Sequence, residues 1–130
     1  MDCMRKAIAG EGLGEPIGAY SHGVWAGPTL YLSGVTGITE ELLAKPDIAQ
    51  ETKNAMGDAQ TALASQGLSF AHVVQARIYI TDMKKFAEMN EAYKSFFEQP
   101  YPARATVEVA KLAEGANIEI VFTAYDPEKA

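Results

Sequence analysis

One cysteine, Cys3, is all the thiol chemistry this chain of 130 residues carries. A single thiol excludes an internal disulfide framework and any multi-cysteine metal site. So near the terminus it reads as a bystander, beyond a cross-link between copies. Histidine is as scarce. His22 and His72 do not sit at a metal-ligand spacing. His72 begins a strand beside apolar residues and reads as structural, whereas His22 follows Tyr20-Ser21 and is a candidate cleft residue. No apolar run reaches the ~18–20 residues a membrane span needs. The first ten residues carry Arg5 and Lys6 but lack the apolar stretch of a secretory signal. These absences predict a cytoplasmic protein.

Positive charge is also in short supply. The 11 Lys and Arg against 17 Asp and Glu give a net charge of −6. Phosphate tracking needs clustered cations, and the close basic pairs here are Arg5–Lys6 and Lys84–Lys85, which read as solvated surface. No nucleic-acid partner is expected. No P-loop is present, Ser21 and Ser33 lack a G-x-S-x-G setting, and no hydrolase triad is visible. The spaced glycines between Gly10 and Pro16 follow no strand and open no βαβ unit, so they make no dinucleotide fingerprint.

What is there suits one globular domain. The chain is 48% hydrophobic and 22% charged, ordinary values for a folded protein. A domain of this length buries roughly 68% of its unfolded surface. We expect a single domain over residues 1–130, with 1–15 a flexible N-terminal segment rich in chain breakers.

Two helices stand out. Ile48, Thr52, Ala55, Met56, Ala59, Ala62 and Leu63 recur at helical spacing. Asp47 is the expected N-cap, with Gln50 as a capping-box partner, and Gly67 the expected stop. A second helix is predicted from about Met83 to Phe97, capped by Asp82. Its stripe is Phe86, Met89, Tyr93, Phe96 and Phe97, read as core, and it is closed by Pro100 and Pro102. Strands alternate with period two: one near Val24-Trp25, then Leu30–Ser33, Val73–Thr81, Arg104–Val109 and Ile118–Tyr125. The fold class is α+β, a β-β-α-β-α-β-β sheet with two helices on one face and hairpins at both ends.

On the other face we expect Gln75, Arg77, Tyr79, Arg104, Thr106, Glu108, Glu119, Val121, Thr123 and Tyr125. This mixture of aromatics, Val and Thr with isolated charges suits burial against another copy of the chain. Its Arg104 and Glu119 carry the chemistry worth weighing. Arginine is a natural carboxylate clamp, and a nearby carboxylate orients or deprotonates water. A salt bridge across the sheet accounts for the same two residues equally well.

Tyr101-Pro102-Ala103-Arg104-Ala105-Thr106-Val107-Glu108-Val109, followed by Leu112 and Ile118-Glu119-Ile120, resembles the C-terminal signature of the RidA (YjgF) family. Ile17-Gly18-Ala19-Tyr20-Ser21-His22-Gly23-Val24, Leu32-Ser33-Gly34 and Asn90-Glu91-Ala92-Tyr93-Lys94-Ser95-Phe96-Phe97 fall in register with it. The resemblance implies a chorismate-mutase-like fold, a homotrimer with clefts between subunits, and no cofactor or metal. It implies hydrolysis of enamines and imines of the 2-aminoacrylate, 2-iminopropanoate or 2-iminobutanoate type to 2-oxo acids and ammonia. By matching position, Arg104 would hold the substrate carboxylate and Glu119 would activate water. Tyr20, Ser33, Gly34, Asn90 and Thr106 would line or support the pocket. Two departures bear on substrate preference. Val35-Thr36-Gly37 follows Ser33-Gly34 where many members carry glutamine, and Thr106 stands where many carry cysteine. A trimer of the same fold that binds small carboxylates without turnover is the competing class. RNA cleavage fits the acidic balance poorly.

Overall fold

Asp47 starts the longest helix as its sequence requires. Its carboxylate accepts the Gln50 N–H at 3.1 Å, and the helix α2 runs Ile48–Ser65. Gln50 does not close the capping box, because its amide donates to Asn54 Oδ1 instead. Gly67 ends the helix with φ +74°, a conformation costly for any residue with a Cβ. Every residue of the expected apolar stripe is buried, and Glu51 is buried with them.

The structure is a computed structural model that describes residues 5–10 and 12–130. Cys3 lies outside the described residues, and so does the reading of its role. In chain order the remaining elements are strands β1 (Lys6–Ala7), β2 (Gly23–Ala26), β3 (Thr29–Leu32) and β4 (Val35–Thr36), and a short helix α1 (Glu40–Ala44). After α2 come β5 (Val73–Ile80), α3 (Phe86–Lys94), β6 (Ala103–Glu108) and β7 (Ile118–Tyr125). Strand β1, inside the segment expected to be flexible, pairs with β2.

The second helix is shorter than its stripe suggests. Met83–Lys85 is a 3₁₀ turn held by Asp82, whose carboxylate accepts the Lys84 N–H. Beyond Lys94 the chain tightens into i→i+3 bonds from Phe96 and Phe97 to Tyr93 and Lys94, so the aromatic stripe outlasts the α-helix. Its rings still pack. Phe97 lies 5.0 Å from Phe70 and 4.9 Å from Tyr93, centroid to centroid, within the range of favourable aromatic pairs.

Strand order is β1-β2-β3-β7-β5-β6, with β4 also on β7. This corrects the expected C-terminal hairpin. β7 lies antiparallel between β3 and β5, while β6 pairs with β5 in parallel. The loop between β6 and β7 carries a 3₁₀ turn in which Glu114 has φ 58°, and it crosses β5 instead of folding back. The N-terminal hairpin of β2 and β3 forms as expected, with Gly27 at φ +59° in its turn.

Helices α2 and α3 cover one face. Ile78, Ile80, Ile118, Ile120, Phe122 and Ala124 beneath them are no more than 1% exposed, each large side chain worth ~1.5–3 kcal/mol of burial. A bulge between Val73 and Gln75 turns Val74 outward, against the expected alternation, and puts Val73 in the core instead.

The phase of β6 is the second correction. Arg104 pairs with Ala76 and Thr106 with Ile78, so Arg104, Thr106 and Glu108 project on the helix-covered face. Ala105 and Val107 join Arg77, Tyr79, Val121 and Glu119 on the open face. The apolar side of β6 marks the open face because that face, too, carries apolar side chains among its charges. Tyr31, Val107 and Tyr125 are between 38% and 50% exposed there.

Candidate active site in two halves

Arg104 leaves the edge strand β6 toward α3. Its guanidinium donates to Asn90 Oδ1 at 2.7 Å. It lies 5.0 Å from the centroid of Tyr93 and 5.5 Å from that of Phe86. Two aromatic faces and one amide hold the planar fork without using up its five donors. Among the described residues no carboxylate lies within salt-bridge reach of it. Asn90, Tyr93, Lys94, Tyr101, Pro102 and Arg104 line a cavity of about 420 Å³. Burial pushes the Tyr93 hydroxyl up to about 12, with the Arg104 charge opposing. Two buried hydroxyls of this region, those of Tyr93 and Thr106, have no hydrogen-bond partner among the described residues.

Glu119 belongs to a different place. It sits in β7 opposite Tyr79 on one side and Thr36 on the other. Between β3 and β4 the chain passes Glu119 at Gly34. A Cβ at Gly34 would come within 2.8 Å of the Glu119 carboxyl carbon and 2.9 Å of its Cγ, so only glycine leaves this carboxylate its position. Ser33 donates its hydroxyl to the Ser21 carbonyl at 2.6 Å, tying the kink to the segment that carries Tyr20. Tyr20, Ser33, Gly34, Thr36, Glu114 and Glu119 share a cavity of about 400 Å³. Among the described residues, the Glu119 carboxylate makes no hydrogen bond or ion pair.

The seven expected residues therefore separate. Arg104 and Asn90 form one half with Thr106 behind them; Glu119, Gly34, Ser33 and Tyr20 form the other. Arg104 is level with Phe122 across β5, two strands and three residues from Glu119. The Cα separation is about 14 Å from standard strand spacings, and the side chains leave opposite faces. No salt bridge joins them within one chain, so that open alternative is settled for the single copy.

Tyr93, Phe86 and Thr36 belong to the site but were not singled out as site residues. The signal of the two rings is hidden, since an aromatic stripe on a helix reads as core and here the same rings serve core and arginine; Thr36 follows only from its pairing with Glu119. His22 lines a third cavity of about 330 Å³ with Tyr20, Ser33, Thr36 and Asp58. Its ring N–H donates to the Gly14 carbonyl at 2.5 Å, and burial raises the Asp58 carboxyl above its ordinary value. His72 accepts the Ser69 N–H at 3.1 Å in a capping box, a structural role. No helix among the described residues is long and apolar enough to cross a membrane.

Comparison with known proteins agrees with this fold. The family described as Endoribonuclease L-PSP matches residues 13–126. A RutC family protein of Pyrococcus horikoshii is 35% identical over 124 residues, covering 94% of this chain and 98% of the relative. A 2-iminobutanoate/2-iminopropanoate deaminase of Dermatophagoides farinae is 38% identical over 109 residues, covering 82% and 84%. The crystal structure of RidA from an Antarctic Psychrobacter superposes with a TM-score of 0.82 at 30% identity, covering 92% of this chain and 98% of that one. The chain belongs to the Endoribonuclease L-PSP family, the group of the RidA (YjgF) proteins.

Proposed function

We propose that this protein hydrolyses small imine and enamine carboxylates to 2-oxo acids and ammonia, in clefts between the subunits of a homotrimer. One observation carries the reading. Arg104 and Glu119 both lack a charged partner among the described residues and leave opposite faces of the sheet. A second copy that covers the open face and reaches the β6 edge can bring one chain's Glu119 half against another's Arg104 half. The exposed Tyr31, Val107 and Tyr125 give that contact an apolar surface to bury. Relatives named as imine deaminases, such as the mite protein, support the reaction class.

The chemistry needs few groups. Arg104 holds the substrate carboxylate through its fork. Glu119 takes a proton from water as the water oxygen adds to the imine carbon. Glu119 then returns that proton to the nitrogen of the tetrahedral carbon, which leaves as ammonia while the hydroxyl gives up its own proton and becomes the carbonyl of the 2-oxo acid; an enamine enters the same route as its imine tautomer. Water is the one co-reactant, and no electrons change hands. Tyr20, Ser33 and Gly34 shape the wall beside the water, and Asn90 keeps the arginine aimed. Thr106, behind Arg104, bears on the fit of the substrate, whereas Val35 pairs with Ile120 and packs against the core on the face away from Glu119.

The test is release of ammonia and 2-oxo acid from imines generated in situ by an amino-acid oxidase. Acceleration above the spontaneous rate is expected. Binding of small 2-oxo acids with no acceleration for any small imine would instead make this a carboxylate-binding trimer.

A further inference from the structure

The one fully buried carboxylate among the described residues, Glu51, has no role in the chemistry above. It is 0% exposed, and no cation pairs with it among the described residues. An isolated buried charge is expensive unless hydrogen bonds replace its water. Glu51 has three such bonds, all from Ile118, the first residue of β7, and Asn117 just before it. Its Oε2 accepts the Asn117 N–H at 2.6 Å and the Ile118 N–H at 3.2 Å, and its Oε1 accepts the Asn117 side-chain amide at 3.1 Å. The next residue is Glu119.

The other flank of Glu119 is held by the same helix. Thr36 is its register partner on β4, and β4 ends there. At Gly37 a Cβ would strike the Glu51 carbonyl oxygen and come within 2.8 Å of the Ala55 nitrogen, so the chain lies directly on α2. Asn54, one turn beyond Glu51's own position, donates to the Gly37 carbonyl at 3.0 Å. Asn117 is tied in turn to β5 through Thr81, whose N–H donates to its carbonyl at 3.0 Å and whose hydroxyl donates to its Oδ1 at 3.1 Å.

We propose that Glu51 is a positioning residue for Glu119, fixing from behind the sheet the backbone that presents the water-activating carboxylate on the open face. This rests on the reading of Glu119 as that group. An apolar residue at 51 would fill the core as well but would strand two backbone N–H groups where β4 has stopped. The strand would then relax at the one point where Glu119 must stay aligned, and misplacement of about 1 Å is enough to cost ~10²-fold in rate.

The test compares Glu51→Ala and Glu51→Gln in the full-length protein. The glutamine carbonyl can still accept both backbone N–H groups, with the Asn117 amide turned over, so Glu51→Gln should keep native kcat. Glu51→Ala should lose roughly tenfold to a hundredfold in kcat while its Kd for 2-oxobutanoate, which reports Arg104, stays native. NMR gives a readout that needs no turnover. The Glu119 carboxyl ¹³C shift and the Gly34 amide should move in Glu51→Ala and not in Glu51→Gln. If Glu51→Ala folds with lower Tm yet keeps native kcat and native Glu119 resonances, Glu51 is only a core residue and the inference is wrong. If the native protein has no activity, the catalytic reading fails separately, and the Glu119 resonances still decide the positioning. Should Glu51→Ala not fold, Asn54→Ala releases the Gly37 flank alone. It should shift the same resonances in the same direction, and unchanged resonances would overturn the inference.

Discussion

Arg104 and Glu119 leave opposite faces of one sheet, two strands apart, and neither has a charged partner among the described residues. Two unpaired charges beside two separate cavities describe a site cut in half. Self-association is needed to join the halves, and light scattering at micromolar concentration should report a trimer. A monomer would leave both halves without an opposite wall.

The arginine half should act through its geometry as well as its charge. Arg104→Ala should weaken 2-oxobutanoate binding at least roughly tenfold, since a lost hydrogen bond to a charged group costs on the order of 1.5–3 kcal/mol. Arg104→Lys keeps the charge but loses the fork that lies between Tyr93 and Phe86, so binding should weaken there too. Titration calorimetry on the three proteins checks this, and a native Kd in Arg104→Ala would move the anion site elsewhere.

Gly34 tests the other half. Its backbone does not need positive φ, so Gly34→Ala brings no backbone strain. The added methyl would press on the Glu119 carboxyl carbon at 2.8 Å and push the carboxylate aside. Turnover should fall by more than tenfold, in line with ~10²–10⁴-fold for a general base, with Tm nearly native. An active Gly34→Ala enzyme would show that Glu119 need not stand where it does.

Tyr93 predicts a pH effect on stability. Burial raises its hydroxyl from 10.0 to about 12, so the folded state keeps a proton that the unfolded state gives up. That stability is fully present below pH 10 and is lost as pH rises toward 12. Tyr93→Phe should flatten this alkaline decline, and at neutral pH it should cost little, because the hydroxyl has no partner to lose. Denaturant melts from pH 8 to 12 provide the comparison.

Much of this was legible in the sequence for definite reasons. The stripe from Ile48 to Leu63 is a helical period with a cap and a stop, and all of it is buried. Strand β7 alternates cleanly because one of its faces is core. Strand β6 misled for the opposite reason. Ala105 and Val107 alternate as a core face would, but they lie on the open face, so periodicity gave the strand and inverted its phase. Pairing was hidden as well. Nearness in sequence favoured a hairpin of β6 with β7, and nothing local announces that β7 inserts between β3 and β5. The site residues were recognisable one by one, while their division into two halves follows from that pairing alone.

The proposed water-activating carboxylate has its own substitution. Glu119→Gln keeps size and hydrogen bonding and removes the basic oxygen. It should bind 2-oxobutanoate like the native protein and lose ~10²–10⁴-fold in imine hydrolysis. Native turnover in this variant would reduce Glu119 to a structural residue.

Subunit complementation tests the divided site most directly. Arg104→Ala and Glu119→Gln are each expected to be nearly inactive, and each retains the half that the other lacks. Unfolded together, mixed in equal amounts and refolded, they should form some clefts that join a native Arg104 to a native Glu119. Random assembly makes that about one interface in four, so imine hydrolysis should recover to roughly a quarter of the native rate. Recovery near that level is the result predicted for a site built from two chains; a mixture no more active than its inactive components, with mixed trimers shown by mass spectrometry, would contradict it.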